Sequence, residues 1–431
     1  MRQTAQGAFD PVSPEVSEEV IESVITLSKD LQKAATEMTE KQARFLVDNY
    51  YVMQKARMRY ANQLKAMQEE PHGILLWLLE QQKTLERVLK ASLHRFAKKG
   101  PVGQWLLSID GIGPVIAAGL LAYIDIDKSP TVGSIYSYAG LNSERKWHGK
   151  TKTAEFMREA KNIGDDWRAL FYLSSVYSMR PFAILVKGEH TAAEPPVEFA
   201  INFAAEHGRS DRHKAEFHAD NVLMQAFDSH ELRDIYPQFV EQIGMKLDWP
   251  LNYDKLQSEM AKMPWNDKLK NICWKAGESL AKVCNKEGAI YGQLYKERRT
   301  LEWEKNLNGE YADQAAQALT EREYRRDSVA YAFYSGKASV SYVRYMMENE
   351  LPIPPSYRGS KQATDCVPML PPAHIYNRAK RWAVKIMLSN VHEVMHVVRY
   401  GKPAPTPYPL AHLGHVDRIN PAGFKIGDWV R

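Results

Sequence analysis

The sequence is poor in cysteine and has no long apolar run. Its three cysteines, Cys273, Cys284 and Cys366, form no C-x-x-C pair, so a disulfide framework is excluded. No stretch approaches the ~18 apolar residues that a membrane-spanning helix needs. The first twenty residues carry four acidic side chains and no apolar core, which is not the pattern of a secretion signal. We therefore expect a cytoplasmic protein that makes no membrane contact.

A strong overall charge is also missing. The 57 Lys and Arg residues against 52 Asp and Glu give a net charge of +5, so any nucleic-acid contact must use a local basic surface. The charge is distributed unevenly along the chain. Residues 151–263 contain 13 basic and 18 acidic side chains, and the rest of the chain carries a net +10. An acidic block within a basic chain predicts an inserted module.

Patterns of alternating apolar and polar residues are scarce, whereas apolar residues recur at helical spacing. This periodicity predicts a mainly α fold, with helices over residues 39–69, 74–98 and 374–400 and a polar, proline-containing excursion over 335–372. We divide the 431 residues into four parts. They are N-terminal helical hairpins (1–100), either coiled-coil-like or simply packed, a helix-hairpin-helix segment (101–150), an acidic helical insertion (151–263) and a basic helical part (264–431).

One short motif predicts a binding site. Residues 106–121 read LLSIDGIGPVIAAGLL, two apolar runs separated by Asp110-Gly111-Ile112-Gly113-Pro114. Two glycines allow a tight turn, and proline is favoured at the first position of a helix. We predict a helix-hairpin-helix in which the backbone N–H groups of Gly111, Ile112 and Gly113 hold a DNA phosphate. The alternative is a plain helical hairpin with no ligand.

Basic helices near the carboxyl end could supply the counter-charge for such a phosphate. We predict that they share one surface with the turn. The predicted DNA-binding side chains are Arg145, Lys146, Lys268, Lys270, Lys275, Arg298, Arg299, Arg378, Arg381 and Lys385.

The segment His392-Glu393-Val394-Met395-His396 matches the H-E-x-x-H pattern of zinc hydrolases, in which two imidazoles share one helical face. However, residues 374–402 contain six basic side chains and one acidic one, and cations raise the cost of binding a dication. Three alternatives stay open. They are a zinc site at His392, Glu393 and His396, a histidine pair at the surface or the core edge, and a phosphate contact.

Several segments together resemble a known family. They are LLSIDGIGPVIAAGLLAYI with SYAGL, PWNDKLKNICWKAGESLAKV, YGQLYKERRTLEWEKNLNGEYADQAA, and PPAHIYNRAKRWAVKIMLSNVHEV with YGKPAPTPYPLAHLGH. In this order they resemble the C-terminal domain of insertion-sequence transposases related to the pilin-gene inversion recombinases, a group that includes bridge-RNA-guided enzymes. The resemblance covers residues 101–150, 264–320 and 371–416.

The resemblance implies a function in DNA transposition or site-specific recombination, with Mg²⁺ as the metal of an active enzyme. It also implies the binding partners of the protein. These are DNA, a guide RNA or a catalytic partner protein, and other copies of the same chain in a homo-oligomer. Members of the group carry an N-terminal RNase-H-like domain with four acidic metal ligands. The first hundred residues show no alternating strands, so we expect that domain to be absent from this sequence.

The resemblance also indicates where strand chemistry would lie. The family's nucleophilic serine comes just before a glycine that follows the YAGL segment. Here His148 occupies that position before Gly149, and Ser143 is the nearest hydroxyl. The candidate catalytic residues are therefore Ser143 and His148, with Arg145 and Lys146 between them in the sequence. A non-catalytic DNA-binding or interaction protein is the main alternative, and a zinc hydrolase is a lesser one.

Overall fold

The computed structural model describes residues 33–67, 73–142, 147–164, 169, 172–173, 176, 252–414 and 418–429. Over these residues the chain forms fourteen α-helices and no β-strand, with one isolated antiparallel bridge between Ser339 and Cys366. This confirms the mainly α class. The chain divides into two compact units, one formed by Met1–Tyr136 with Lys268–Arg431 and one by Ser137–Asp267.

The first unit contains a long helical hairpin, α1 (Glu40–Ala66) and α2 (Gly73–Lys98). Thr39 starts α1 with a capping box, in which its side chain and that of Gln42 each accept a hydrogen bond from the other residue's backbone. Both helices agree with the ranges expected from the sequence. The sequence also predicts a helix that starts at Ser13-Pro14, with serine as N-cap and proline at the first helical position, and this stretch lies outside the described residues.

A shorter hairpin follows, with α3 over Pro101–Ser108 and α4 over Pro114–Tyr123. Helix α4 is apolar on all sides because it packs against α1, α2 and α3. A β-carbon on Gly119 would lie 2.7 Å from the Ile272 side chain, so α4 also approaches a later helix closely. A 3₁₀ turn (Ile126–Lys128) and α5 (Val132–Tyr138) come next.

The carboxyl-terminal part of the first unit is built on two long helices. They are α9 (Ile290–Leu307) and α13 (Pro372–Tyr400), which pack along each other. Gly401, with a φ of 65°, ends α13 in the left-handed conformation. The other elements are α8 (Asp267–Lys282), α10 (Ala312–Glu321), α11 (Val329–Tyr334), α12 (Val340–Glu348), α14 (Tyr408–His412) and a 3₁₀ turn at Ile426–Trp429.

The prediction of a polar excursion over 335–372 was wrong. The segment contains α12, and Val343, Met369 and Leu370 are fully buried in one core with Trp303 and Phe333. Its apolar residues come in short groups separated by prolines, so no single helical period shows in the sequence. Each group adds a few side chains to a core that earlier helices begin.

The second unit, Ser137–Asp267, contains α6 (Gly149–Asn162) and α7 (Tyr253–Met260). Gly140 has a φ of +64°, and a β-carbon there would lie 2.7 Å from the Trp265 ring. The Asn266 backbone N–H donates to the Tyr138 carbonyl at 2.8 Å. Most of the acidic block 151–263 lies outside the described residues. Within the part of the chain that the structure describes, no helix has the length and apolarity to cross a membrane.

Candidate nucleic-acid interface

The turn between α3 and α4 is held by one buried side chain and one glycine. Ile112 is 4% exposed, and its backbone N–H donates to the Ile109 carbonyl at 2.9 Å. Gly111 has a φ of +91°, which side-chain-bearing residues rarely adopt. A β-carbon at this position would also lie 3.2 Å from Val283 and 3.3 Å from the Ser279 carbonyl oxygen. The turn therefore requires glycine at 111.

The start of α4 presents open backbone donors. Gly113 is the N-cap without a side-chain cap, and the first intrahelical bond runs from the Ala117 N–H to the Gly113 carbonyl. The N–H groups of Gly113, Val115 and Ile116 precede that bond and have no partner within the helix. A β-carbon on Gly113 would meet no atom within 4 Å. These amides suit an anion, whereas the amide of Ile112, which was predicted to join them, is already bonded within the turn.

The turn forms one side of an open groove with a volume of about 370 Å³. Helices α1, α2 and α8 form the other sides. The groove is lined by Tyr50, Tyr51, Gln54, Lys90, Gly111, Gly113, Pro114, Val115, Ile116, Trp274, Lys275, Glu278, Ser279 and Lys282. The structure thus brings together three predicted residues, Gly111, Gly113 and Lys275.

The acidic side chains near the turn are neutralised by cations. Asp110 accepts a hydrogen bond from Lys286 at 2.5 Å, and Glu278 accepts one from Lys380 at 2.5 Å. These pairs reduce the negative potential that the two carboxylates would otherwise place beside the α4 amides.

The cations of the groove are not neutralised in this way. Among the described residues, no carboxylate lies within ion-pair distance of Lys90, Lys275 or Lys282. The Lys275 ammonium lies 5.2 Å from the centre of the Trp274 ring and 5.7 Å from that of Tyr51. Three lysines and the positive end of a helix therefore face one groove, an arrangement that favours phosphate.

The hairpin segment also lies within the part of the chain that matches a known protein family. Residues 103–180 match the family model described as Transposase IS116/IS110/IS902 family. The match supports a transposase-like mobile-element protein, and it includes most of α3, the turn and all of α4. It covers 78 of the 431 residues. No curated protein and no solved structure matches the chain.

The sequence analysis did not predict every residue that lines the groove. The residues left out include Lys90, Lys282 and the groove aromatics. Lys282 follows Lys275 by seven residues on α8, so helical spacing places both on one face and could have indicated it. Lys90 lies on α2, and no local pattern connects it with a turn more than twenty residues later.

Two other lysines on α8 were predicted to bind DNA. Lys268 pairs with Asp48 at 3.8 Å. Burial, and secondarily the charge of Arg381, lowers the pKa of Lys270.

Two of the arginines predicted to bind DNA are bonded to a buried carboxylate. Arg298 and Arg378 each lie within 2.8 Å of the Glu302 carboxylate, which is 1% exposed. Tyr311 donates a third hydrogen bond at 2.7 Å. Burial acts to raise the pKa of Glu302, but the bonds from Tyr311, Arg378 and Arg298 outweigh it and hold the pKa below its ordinary value. The cluster has a structural role that the sequence does not reveal.

The remaining predicted cations of α9 and α13 lie beside aromatic rings or charges. Arg299 lies 5.8 Å from the ring centre of Tyr295 and 6.0 Å from that of Tyr376. The Lys385 ammonium lies 5.4 Å from the centre of the Tyr136 ring. Their assignment to DNA, like that of Arg381, stays a prediction.

The H-E-x-x-H motif lies at a packing contact. His392 is 2% exposed, and its Nε2 lies 3.0 Å from the Ser129 carbonyl oxygen. Glu393 forms an ion pair with Arg418, and His396 Nδ1 lies 3.0 Å from the Lys402 carbonyl oxygen. No group of three or more His, Cys, Asp or Glu that could hold a metal occurs in the described ranges. The geometry supports the pair at the core edge and neither the zinc site nor a phosphate contact by His392.

Of the two predicted catalytic residues, the structure describes His148. Ser143, Arg145 and Lys146 lie outside the described residues. His148 precedes α6, where its Nε2 lies 3.3 Å from the Val176 carbonyl oxygen and its ring packs edge-to-face on Phe156. The assignment of Ser143 and His148 to strand chemistry stays a prediction.

Proposed function

We propose that this protein is a DNA-binding transposase-like protein of a mobile element that acts in DNA transposition or site-specific recombination. The observation that carries the proposal is the groove in which open amides at the start of α4 face Lys90, Lys275 and Lys282. The family-model match over the same hairpin supports it.

The groove recognises the DNA backbone and not its sequence. Amides at a helix N-terminus donate to phosphate oxygens, and the helix dipole adds a favourable potential. Lysines supply point charges that displace condensed counterions when a phosphate binds. None of these groups distinguishes one base pair from another, so the contacts position a strand while target choice comes from other parts of the assembly.

Duplex affinity measured across a salt series tests the binding proposal. Gly113→Val should weaken binding, because the valine side chain would enter the space that a phosphate needs. The fold should tolerate valine, because the backbone at 113, with φ −83° and ψ 172°, has ordinary extended geometry. Gly100→Val is the matched control. Gly100 is also an N-cap followed by proline, and a β-carbon there also meets no atom within 4 Å. Equal affinity of the two variants, or affinity independent of salt, would contradict the proposal.

Strand chemistry is tested separately with supercoiled DNA and Mg²⁺. We propose Ser143 and His148 as the residues that carry it, so Ser143→Ala and His148→Ala should abolish any nicking that the unaltered protein shows. The resemblance also implies a guide RNA or a catalytic partner protein, and the assay should include RNA bound by the purified protein. Binding without nicking under all these conditions would identify a non-catalytic DNA-binding protein.

A further inference from the structure

The groove contains an aromatic surface that phosphate binding does not explain. Trp274 is 53% exposed where it lines the groove, although the neighbouring Cys273 and Ala276 on α8 are buried. We propose that the groove binds an unpaired nucleic-acid strand, with one base stacked on the Trp274 indole and its phosphate at the start of α4. This inference rests on the proposed function and names the form of nucleic acid that the site takes.

The side chains around the indole combine the two chemistries that an unpaired strand needs. A base presents a flat π-face to an aromatic ring, and its backbone presents a phosphate to a cation. The Lys275 ammonium lies beside both the Trp274 and the Tyr51 rings, so one cation borders the aromatic surface and the phosphate site. Ser279 and Gln54 line the same groove and offer hydrogen bonds to base edges.

Paired DNA cannot use this aromatic surface. The faces of its bases are stacked inside the duplex, and a protein reaches only their edges from the grooves. A ring can stack on a base that is single-stranded, frayed or flipped out. The groove volume of about 370 Å³ is at the small end of ligand sites, which suits about one nucleotide and not a duplex lying inside it.

The neighbouring acid does not oppose a strand in this position. Glu278 lines the groove but is paired with Lys380 at 2.5 Å. The three lysines that face the groove, Lys90, Lys275 and Lys282, outnumber it. The groove is therefore cationic as well as aromatic, the combination found in sites for single strands.

The test compares oligonucleotides of equal length as single-stranded DNA, single-stranded RNA and paired DNA duplex. Trp274→Ala should lower single-strand affinity roughly tenfold, the usual loss for removal of one stacking side chain, and lower duplex affinity much less, because the bases of a duplex cannot stack on the ring. Trp77→Ala is the matched control, because Trp77 is 46% exposed on α2 and does not line the groove. A 2-aminopurine base in the single strand should be quenched by the unaltered protein and not by Trp274→Ala.

The outcomes separate this inference from the proposed function. Single-strand binding that depends on Trp274 supports the inference, and the DNA and RNA arms then identify the source of the strand. If Trp274→Ala binds single strands as tightly as the unaltered protein while Gly113→Val weakens duplex binding, the inference fails and the proposed function stands. If the unaltered protein binds neither single strands nor duplex, both fail.

Discussion

Two regions of the first unit each carry several basic residues but use their charge in different ways. In the groove beside the hairpin turn, Lys275 and Lys282 have no carboxylate within ion-pair distance among the described residues. On α9 and α13, Arg298 and Arg378 are bonded to a carboxylate that is 1% exposed. A basic helix is therefore not evidence for nucleic acid until its acidic partners are known. The comparison predicts that the first set of charges acts on binding and the second on stability.

Removal of the buried carboxylate should give the largest effect on stability. Glu302→Ala leaves two guanidinium groups without their shared partner, and breaking a buried ion pair costs about 3–5 kcal/mol. Urea denaturation measures the loss in the free energy of unfolding. Glu304→Ala is the control, since Glu304 is exposed on the same helix. A Glu302→Ala protein as stable as the control would show that the cluster contributes nothing to the fold.

The two glycines of the turn should separate stability from binding. Gly111→Ala places a β-carbon at a φ of +91° and 3.2 Å from Val283, which should lower the free energy of unfolding by about 1–3 kcal/mol. Gly113→Ala meets open space and should leave it unchanged. Thermal unfolding of the two variants measures the difference. Equal unfolding temperatures would mean that the turn tolerates a side chain at 111.

The groove lysines should change the salt dependence of DNA binding without changing stability. Lys275→Met should weaken duplex binding and reduce the slope of log affinity against log salt by about 1, because one phosphate contact is lost. Lys361→Met, on an exposed loop residue, should change neither quantity. Arg378→Met should lower stability and leave the slope unchanged. A reduced slope for Arg378→Met would break the comparison between the two regions.

The smallest expected effect is a pH dependence of stability from His392. Burial lowers the pKa of His392 below its ordinary value of 6.5, so the unfolded chain binds more protons than the folded chain just below that pH. Stability should therefore fall as the pH drops below about 6.5, where the unfolded imidazole becomes charged. His392→Asn should reduce this dependence in urea titrations between pH 5.5 and 7.5. His412→Asn, a change at an exposed histidine, is the control and should leave the pH dependence of stability unchanged.

Much of the local structure follows from short-range rules that operate within a few residues. Thr39 and Gln42 cap α1, Pro114 starts α4, and Gly401 ends α13, as caps and breakers predict. The tight turn at 111–113 was also predicted from its glycines, although only Gly111, with a φ of +91°, adopts a conformation that other residues resist. The segment 335–372 was not predicted, because its core contacts come from groups too short to show a period.

The sequence by itself determined where the long helices α1, α2 and α13 start and stop, that the chain turns at 111–113, and which segments carry excess charge. The tertiary structure alone decided which charges have partners: Glu302 and Arg378 are 76 residues apart, and Lys90 reaches the hairpin from a different helix. It also decided that His392 is buried against Ser129. The physical reason is the distance along the chain over which each interaction acts. Capping and turn geometry depend on neighbours along the chain, whereas burial and electrostatic pairing depend on which helix faces meet after folding.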